Sequence, residues 1–173
     1  MKRTFLIAVL ICLLALAGCG AFGSGEKTVE RATQIAEFDV PQGFTPGFSA
    51  DLAGVVMVTF DHDDGRSHIF VTQAPESANI TREELEASLR QSLASSSAAE
   101  AVETAEVEEI PLTIRGETVT GTIGVGTSST DNAPYRVLTV PFTGNNGPAI
   151  LLYQRPESSW DQAEVDAFIA SFR

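Results

Sequence analysis

The 173-residue chain contains few cysteines and little positive charge. Its two cysteines, Cys12 and Cys19, both lie near the amino terminus, which excludes a disulfide-stapled scaffold and a cysteine-based zinc site from the remainder. Eleven Lys and Arg residues are outnumbered by 23 Asp and Glu residues, so the net charge is −12. Nucleic acids and anionic membrane surfaces attract clustered Lys and Arg. The sequence therefore predicts no nucleic-acid partner.

The chain begins with the features of an export signal. Lys2 and Arg3 precede an almost unbroken apolar run from Thr4 to Ala17. This run is shorter than the ~20 apolar residues that span a bilayer, but its length is typical of the core of a signal peptide. Residues 1–18 are therefore predicted to be a signal peptide. Its removal leaves the mature chain more acidic, because it carries two positive charges and no acidic residue.

The apolar run ends in Leu16-Ala17-Gly18-Cys19, which resembles the lipobox of bacterial lipoproteins. The resemblance implies that the Cys19 thiol receives a diacylglyceryl group and that a peptidase then cuts just before this residue. Two acyl chains give lasting membrane attachment, unlike a single myristoyl chain. An ordinary secretory signal is the alternative, since Ala15 and Ala17 also fit a small-residue cleavage pattern. The solitary cysteine at the lipobox position favours lipidation.

Lipidation predicts an extracytoplasmic domain anchored to the cell membrane or to the outer membrane. Residues 20–33 are rich in Gly and Ser and then polar, which is typical of a flexible linker. Residues 19–34 are therefore predicted to be the lipidated cysteine and a tether. A single globular domain is expected over residues 35–173, with ordered structure starting near Ile35.

The first half of this domain is predicted to contain three strands. Residues 35–40 predict a short strand, and Pro46-Gly47 predicts a turn between Phe44 and Phe48. β-Branched and aromatic runs at 54–60 and 68–73 predict two more strands, joined by a hairpin at Asp64-Gly65.

A helix is expected next. Thr81 and Glu84 have the spacing of a capping box, and Leu85, Leu89 and Leu93 then recur every four residues. The acidic segment 94–109 that follows is predicted to be either an extension of this helix or a solvated loop.

The second half of the domain is predicted to be rich in strands. Residues 110–114 are expected to pair with 117–126, and residues 135–142 with 149–154. A closing helix is predicted by a capping box from Ser159 to Gln162 and by an apolar face that has i, i+3, i+4 and i+7 spacing. The residues of this face are Val165, Phe168, Ile169 and Phe172.

The element order predicts an α+β fold, an antiparallel sheet of about six or seven strands covered by two helices. Val55–Val58 and Ile150–Leu152 are apolar at consecutive positions, as in strands buried on both faces, so the helices are expected on opposite faces. This order, the string from Phe38 to Phe44 and the helix after Gln154-Arg155-Pro156 resemble PsbP-like domains. That family includes extrinsic photosystem proteins and small bacterial lipoproteins.

Five side chains near the predicted hairpin are candidate metal ligands: Asp61, His62, Asp63, Asp64 and His68. Carboxylate oxygens would suit Ca²⁺, while Zn²⁺ or Mn²⁺ would use imidazole nitrogen as well. The resemblance to PsbP-like domains, some of which are linked to metal handling, points the same way. The spacing matches neither H-E-x-x-H nor an EF-hand loop, and polar residues are common at hairpin tips. A solvated turn is therefore the alternative.

The sequence contains no catalytic motif that would predict an enzyme. The string from Gly47 to Asp51 lacks the last Gly of G-x-S-x-G, and the glycines from Gly121 to Gly126 lack the Lys of a phosphate-binding loop. We therefore expect a non-enzymatic binding or accessory domain of the cell envelope that has an envelope protein as partner. No cofactor is expected beyond the diacylglycerol lipid on Cys19. The alternative function is a divalent-metal-binding lipoprotein that uses the Asp61–His68 hairpin.

Overall fold

The computed structural model describes residues 22–95, 102–129 and 132–173, which form one antiparallel sheet with helices on both faces. The strands are β1 (Phe22–Ser24), β2 (Phe44–Leu52), β3 (Val55–His62), β4 (His68–Gln73), β5 (Val102–Ile114), β6 (Glu117–Ser128), β7 (Pro134–Gly144) and β8 (Gly147–Pro156). The helices are α1 (Glu26–Ile35), α2 (Arg82–Ser95) and α3 (Gln162–Ala170). The predicted α+β class is confirmed, but the described sheet has eight strands rather than six or seven.

The strands lie in the order β1-β2-β3-β4-β8-β7-β6-β5, and each neighbouring pair is antiparallel. β1 and β5 are the two edges of this sheet. The chain therefore runs inward from one edge of the sheet along β1 to β4, and then inward again from the other edge along β5 to β8. The two series meet where β4 pairs with β8.

Each face of the sheet has its own apolar core. On one face, which we call the α1/α3 face, Ile35 of α1 and Phe168 of α3 are buried with sheet residues such as Leu151. On the other, the α2 face, Leu85 and Leu89 of α2 are buried against Phe70 and its neighbours. The predicted placement of helices on opposite faces is confirmed. None of the helices in the described residues is long and apolar enough to cross a membrane.

The predicted capping box at the start of α2 is present in full. The Thr81 hydroxyl accepts a hydrogen bond from the Glu84 N–H at 3.2 Å, and a Glu84 carboxylate oxygen accepts one from the Thr81 N–H at 2.9 Å. The three predicted hairpins are also confirmed, at β3–β4, β5–β6 and β7–β8.

The start of the described chain differs from the predicted tether over 20–33 and strand over 35–40. Residues from Glu26 to Ile35 are a helix whose buried face includes Thr28 and Arg31. The Thr28 hydroxyl donates to the Gly47 carbonyl at 2.9 Å, and Arg31 donates to the Ser49 hydroxyl at 3.1 Å. Because these polar side chains are satisfied by β2, the helix needs no continuous apolar stripe. The prediction of a flexible linker is therefore wrong for residues 26–35, which are polar but helical.

The segment after α1 is irregular rather than a strand, because its aromatic side chain packs against the carboxyl-terminal helix. The Phe38 ring stacks on Phe172 at 4.7 Å and meets Phe168 edge-on at 5.7 Å. The Asp39 N–H donates to the Ser171 hydroxyl at 3.0 Å. The backbone of this segment is thus held by the end of α3 and not by a neighbouring strand.

The turn predicted at Pro46-Gly47 is wrong, because these residues lie inside β2. The register between β2 and β3 shifts between Pro46 and Ser49, where β2 carries a bulge. Proline is tolerated at a bulge because its missing N–H breaks no ladder bond there. Gly47 is required by close approach, since a Cβ at this position would overlap the Asp61 carboxylate and the Thr59 hydroxyl.

Neither prediction for the acidic segment 94–109 describes its second part. Residues from Val102 onward belong to β5, the long edge strand that pairs with β6 alone. Glu108 and Glu109 stay exposed there. Charged residues on an edge strand discourage pairing with another chain, so the acidic composition is compatible with a strand at the edge of the sheet.

The closing helix α3 is confirmed, but its cap is not the predicted one. The N-cap of α3 is Asp161, whose carboxylate accepts hydrogen bonds from the Ala163 and Glu164 N–H groups. Ser159 instead lies in a single turn of 3₁₀ helix, and its hydroxyl donates to the Pro156 carbonyl. The apolar face is as predicted, with Phe172 buried just beyond the last turn.

Candidate functional site

The five predicted metal ligands do not converge on one point, because the alternation of the strands separates them. Asp61 pairs in register with His68, and both side chains lie on the α2 face. His62 is the next residue along β3 and so lies on the α1/α3 face, opposite Phe44. Asp63 and Asp64 belong to the turn between the strands.

On the α2 face, Asp61 and His68 form a direct pair. The His68 Nδ1 lies 2.9 Å from an Asp61 carboxylate oxygen. The His68 side chain is only 7% exposed, whereas that of Asp61 is 45% exposed. The carboxylate therefore anchors a buried imidazole at the base of the hairpin.

On the other side of the hairpin, His62 and Asp64 form a second pair. The His62 Nδ1 accepts a hydrogen bond from the Asp64 N–H at 3.1 Å and lies 3.4 Å from the Asp64 carboxylate. Burial alone would raise the pKa of the Asp64 carboxyl, but hydrogen bonds from Arg66 and Ser67 outweigh it and hold this pKa below its ordinary value. The Asp64 carboxylate thus already accepts the hydrogen bonds that stabilise the turn.

Within the described residues, no group of three His, Cys, Asp or Glu side chains is arranged to hold a metal ion. The hairpin offers two separate pairs instead. A cation that used all five residues would have to break the hydrogen bonds of Asp64 to the turn and the contact between Asp61 and His68.

We expect Ca²⁺, Mn²⁺ and Zn²⁺ to leave the thermal unfolding midpoint of the purified protein unchanged, because the Asp61 and Asp64 carboxylates already have protein partners. Calorimetric titration with each ion, together with thermal melts, measures this. A stabilisation that Asp61→Ala and His62→Ala both abolish would support the metal-binding alternative instead. Asp166→Ala, on the exposed side of α3, is the control variant for removal of an acidic side chain elsewhere.

A buried ionic cluster that no sequence motif indicated joins β8 to α3. Arg155 donates to the Glu164 carboxylate and, at 3.1 Å, to the Tyr153 hydroxyl, which itself donates to Glu164 at 2.7 Å. Burial, and then the hydrogen bond to Glu164, raise the pKa of the Tyr153 hydroxyl well above its ordinary value. The tyrosine therefore stays protonated, and the cluster serves to fix α3 on the sheet.

A second arginine lies beside this cluster on β7. Arg136 is the cross-strand partner of Arg155, contacts Glu157 at 3.4 Å and places its guanidinium 5.9 Å from the Trp160 ring. It also borders a shallow concavity of about 250 Å³ that is lined further by Val107, Glu108, Ile123 and Val125. Each arginine is paired with a carboxylate, so the two do not form a free anion site.

An apolar concavity lies on the α1/α3 face, between α1, the segment that follows it, and strands β2 and β3. Its volume is about 230 Å³, and we call it the α1 groove. Its lining residues are Val29, Ala32, Thr33, Ala36, Phe38, Val40, Phe44, Pro46 and Phe60. Phe44 and Phe60 are buried beneath it, while Val29 and Val40 are 46% and 37% exposed at its rim.

The sequence did not predict the α1 groove, because it did not predict helix α1. Its one detectable signal was the closely spaced Phe38, Val40 and Phe44 around Pro41, a density of apolar residues unusual for a polar connection. Cys19, the predicted lipidation site, and residues 1–18, the predicted signal peptide, lie outside the described residues.

Comparison with protein-family models and with curated protein sequences found no match. The chemistry of the chain's own residues must therefore carry any functional proposal.

Proposed function

We propose that the protein is a lipid-anchored, extracytoplasmic, non-enzymatic domain that binds an apolar side chain of another envelope protein in the α1 groove. The string Leu16-Ala17-Gly18-Cys19 after an apolar run supports the anchor. The observation that carries the binding role is the α1 groove itself, an open apolar concavity with aromatic residues beneath it.

The size of the α1 groove favours a protein side chain over a free small molecule. Pockets for drug-sized ligands have volumes of roughly 300–1,000 Å³. The α1 groove, at about 230 Å³, is smaller and open to solvent. Protein interfaces commonly depend on one aromatic or aliphatic side chain seated in such a pocket and surrounded by contacts that exclude water.

A non-enzymatic role is consistent with where the polar side chains lie. The described histidines are each paired with an aspartate of the same hairpin, and the tyrosine and arginine of the buried cluster share one glutamate. None of these groups is among the residues that line the α1 groove. The α1 groove thus offers apolar contacts, and the side chains at its floor include no acid, base or nucleophile.

A photo-crosslinking amino acid at Val40 should give one discrete adduct with an envelope protein in intact cells. The matched control is the same amino acid at Val125, which is 38% exposed against 37% for Val40 but lies on β6, away from the α1 groove. Adducts are resolved by gel shift and identified by mass spectrometry.

Filling the groove should remove that adduct. Thr33→Trp places a large side chain at the groove mouth, and we expect it to lower the yield from position 40 by roughly ten-fold, which corresponds to about 1.4 kcal/mol of lost binding. Thr33→Ser, with thermal melts of both variants, controls for altered folding. Equal yields from positions 40 and 125, or a yield that Thr33→Trp leaves intact, would contradict binding in the groove.

A further inference from the structure

One part of the α2 face carries apolar side chains that remain exposed in the described structure. It lies on β1, β2 and β3, beside the core that α2 buries on β4, β7 and β8, and Met57 borders that core. Phe22 is 55% exposed, Phe48 41% and Leu52 56%. The Phe22 and Phe48 rings contact each other at 5.6 Å, and Met57 lies partly exposed beside them. We call Phe22, Phe48, Leu52 and Met57 the β1-edge patch.

The β1-edge patch is free of charge in a strongly acidic protein. The register places eight residues of β1, β2 and β3 on this part of the α2 face, and all of them are uncharged. They are Phe22, Ser24, Phe48, Ala50, Leu52, Val55, Met57 and Thr59. The first charged residue on β3 of the same face is Asp61, at the hairpin end. Uncharged, contiguous apolar surface rimmed by polar residues marks an interaction site.

The position of the patch in the chain indicates what covers it. Phe22 is paired with Ala50 in the sheet and is three residues from Cys19. Three residues cannot extend beyond about 11 Å, whatever their conformation. An acyl group on Cys19 would therefore hold the β1 edge of the domain within that distance of the lipid headgroups.

We propose that the β1-edge patch lies against the lipid bilayer and inserts its phenylalanines into the headgroup region. This inference rests on the proposed lipid anchor. A few apolar side chains would not retain an acidic domain on a membrane, but the anchor makes the contact intramolecular and so raises the local concentration. The α1 groove, on the opposite face of the sheet, then opens away from the membrane towards a partner.

The test uses the lipidated protein in phosphatidylcholine vesicles that contain lipids with a spin-labelled headgroup. Trp160 is the only tryptophan, so Trp160→Phe provides a silent background. Phe48→Trp reports on the patch. Val107→Trp is the control, since Val107 is 58% exposed on β5, six strand spacings or about 29 Å from β2.

We expect the lipid quencher to remove most of the tryptophan fluorescence of Phe48→Trp, and the emission maximum of this variant to shift to shorter wavelength. Val107→Trp should keep most of its fluorescence. High salt should leave the quenching unchanged, because the patch has no charge. Adding Phe22→Asp and Leu52→Asp to the Phe48→Trp variant should restore its emission.

The other outcomes overturn the proposal in distinguishable ways. Weak quenching at position 48 in a protein whose intact mass includes the diacylglyceryl group would refute the membrane contact and leave the anchor standing. A mass without that group would overturn the anchor and the contact together. Shielding from the quencher, with a disulfide-linked dimer of a Phe48→Cys variant, would show that a second copy covers the patch.

Discussion

Cys19→Ala should abolish acylation of the protein and release it from the membrane. In the proposed lipidation the Cys19 thiol is the nucleophile that takes the diacylglyceryl group, and alanine has no atom that could replace it. Each buried methylene contributes about 0.8 kcal/mol to membrane attachment, so two acyl chains together hold a protein far more firmly than any surface patch could. Metabolic labelling with an alkyne fatty acid, intact mass and detergent-phase partitioning measure the loss.

The chain supplies its own control for this experiment, because its only other cysteine is Cys12. Cys12 lies within the predicted signal peptide, so Cys12→Ala should keep the acyl label and the membrane location. If the wild-type protein were recovered in soluble form, with an amino terminus at Gly18 and no acyl mass, the secretory alternative would be correct.

The parts of the fold that the sequence predicted are those where local chemistry and burial agree. The Thr81–Glu84 capping box is a reciprocal pair of local hydrogen bonds, and the structure contains both. β8 is buried along nearly its whole length, and its residues 149–153 are a continuous apolar run. In such segments the side-chain pattern depends little on distant contacts, so periodicity and capping residues suffice.

The missed elements depend on distant contacts instead. Helix α1 buries Thr28 and Arg31 because β2 offers them a carbonyl and a hydroxyl, and nothing in the local sequence reveals those acceptors. β2 accommodates Pro46 and Gly47 through a bulge that is visible only once β3 is in place. Each error placed polar or turn-forming residues in a linker or turn, where they more commonly occur.

The candidate sites show the same limit. The hairpin that brings Asp61 and His68 together was predictable, since Asp64-Gly65 marks its turn. The prediction of five ligands on one hairpin conflicts with the strand period, which alone places His62 and Asp61 on opposite faces of the sheet. The α1 groove needs α1, β2 and the Phe38 segment at once, so no single motif could indicate it.

Glu164→Ala is expected to destabilise the protein more than any other substitution of a charged residue discussed above. It would leave Arg155, whose side chain is 11% exposed, without a carboxylate, and the Tyr153 hydroxyl without its acceptor. The Arg155 Nε already has no hydrogen-bond partner, so few contacts would remain to offset the buried charge. Breaking a buried ion pair costs 3–5 kcal/mol, and since Glu164 is 27% exposed we expect about 2–3 kcal/mol in the free energy of unfolding.

The adjacent exposed pair provides the matched control, because Arg136 and Arg155 are cross-strand partners. Glu157→Ala removes the carboxylate of Arg136, but both of these side chains are more than a third exposed, so the cost should stay below about 1 kcal/mol. Adding Arg155→Met to Glu164→Ala should recover part of the loss, since it removes the unpaired buried charge. Denaturant unfolding measures all three variants. Equal costs for Glu164→Ala and Glu157→Ala would mean that water solvates Arg155 in the folded state and that the cluster does not fix α3 on the sheet.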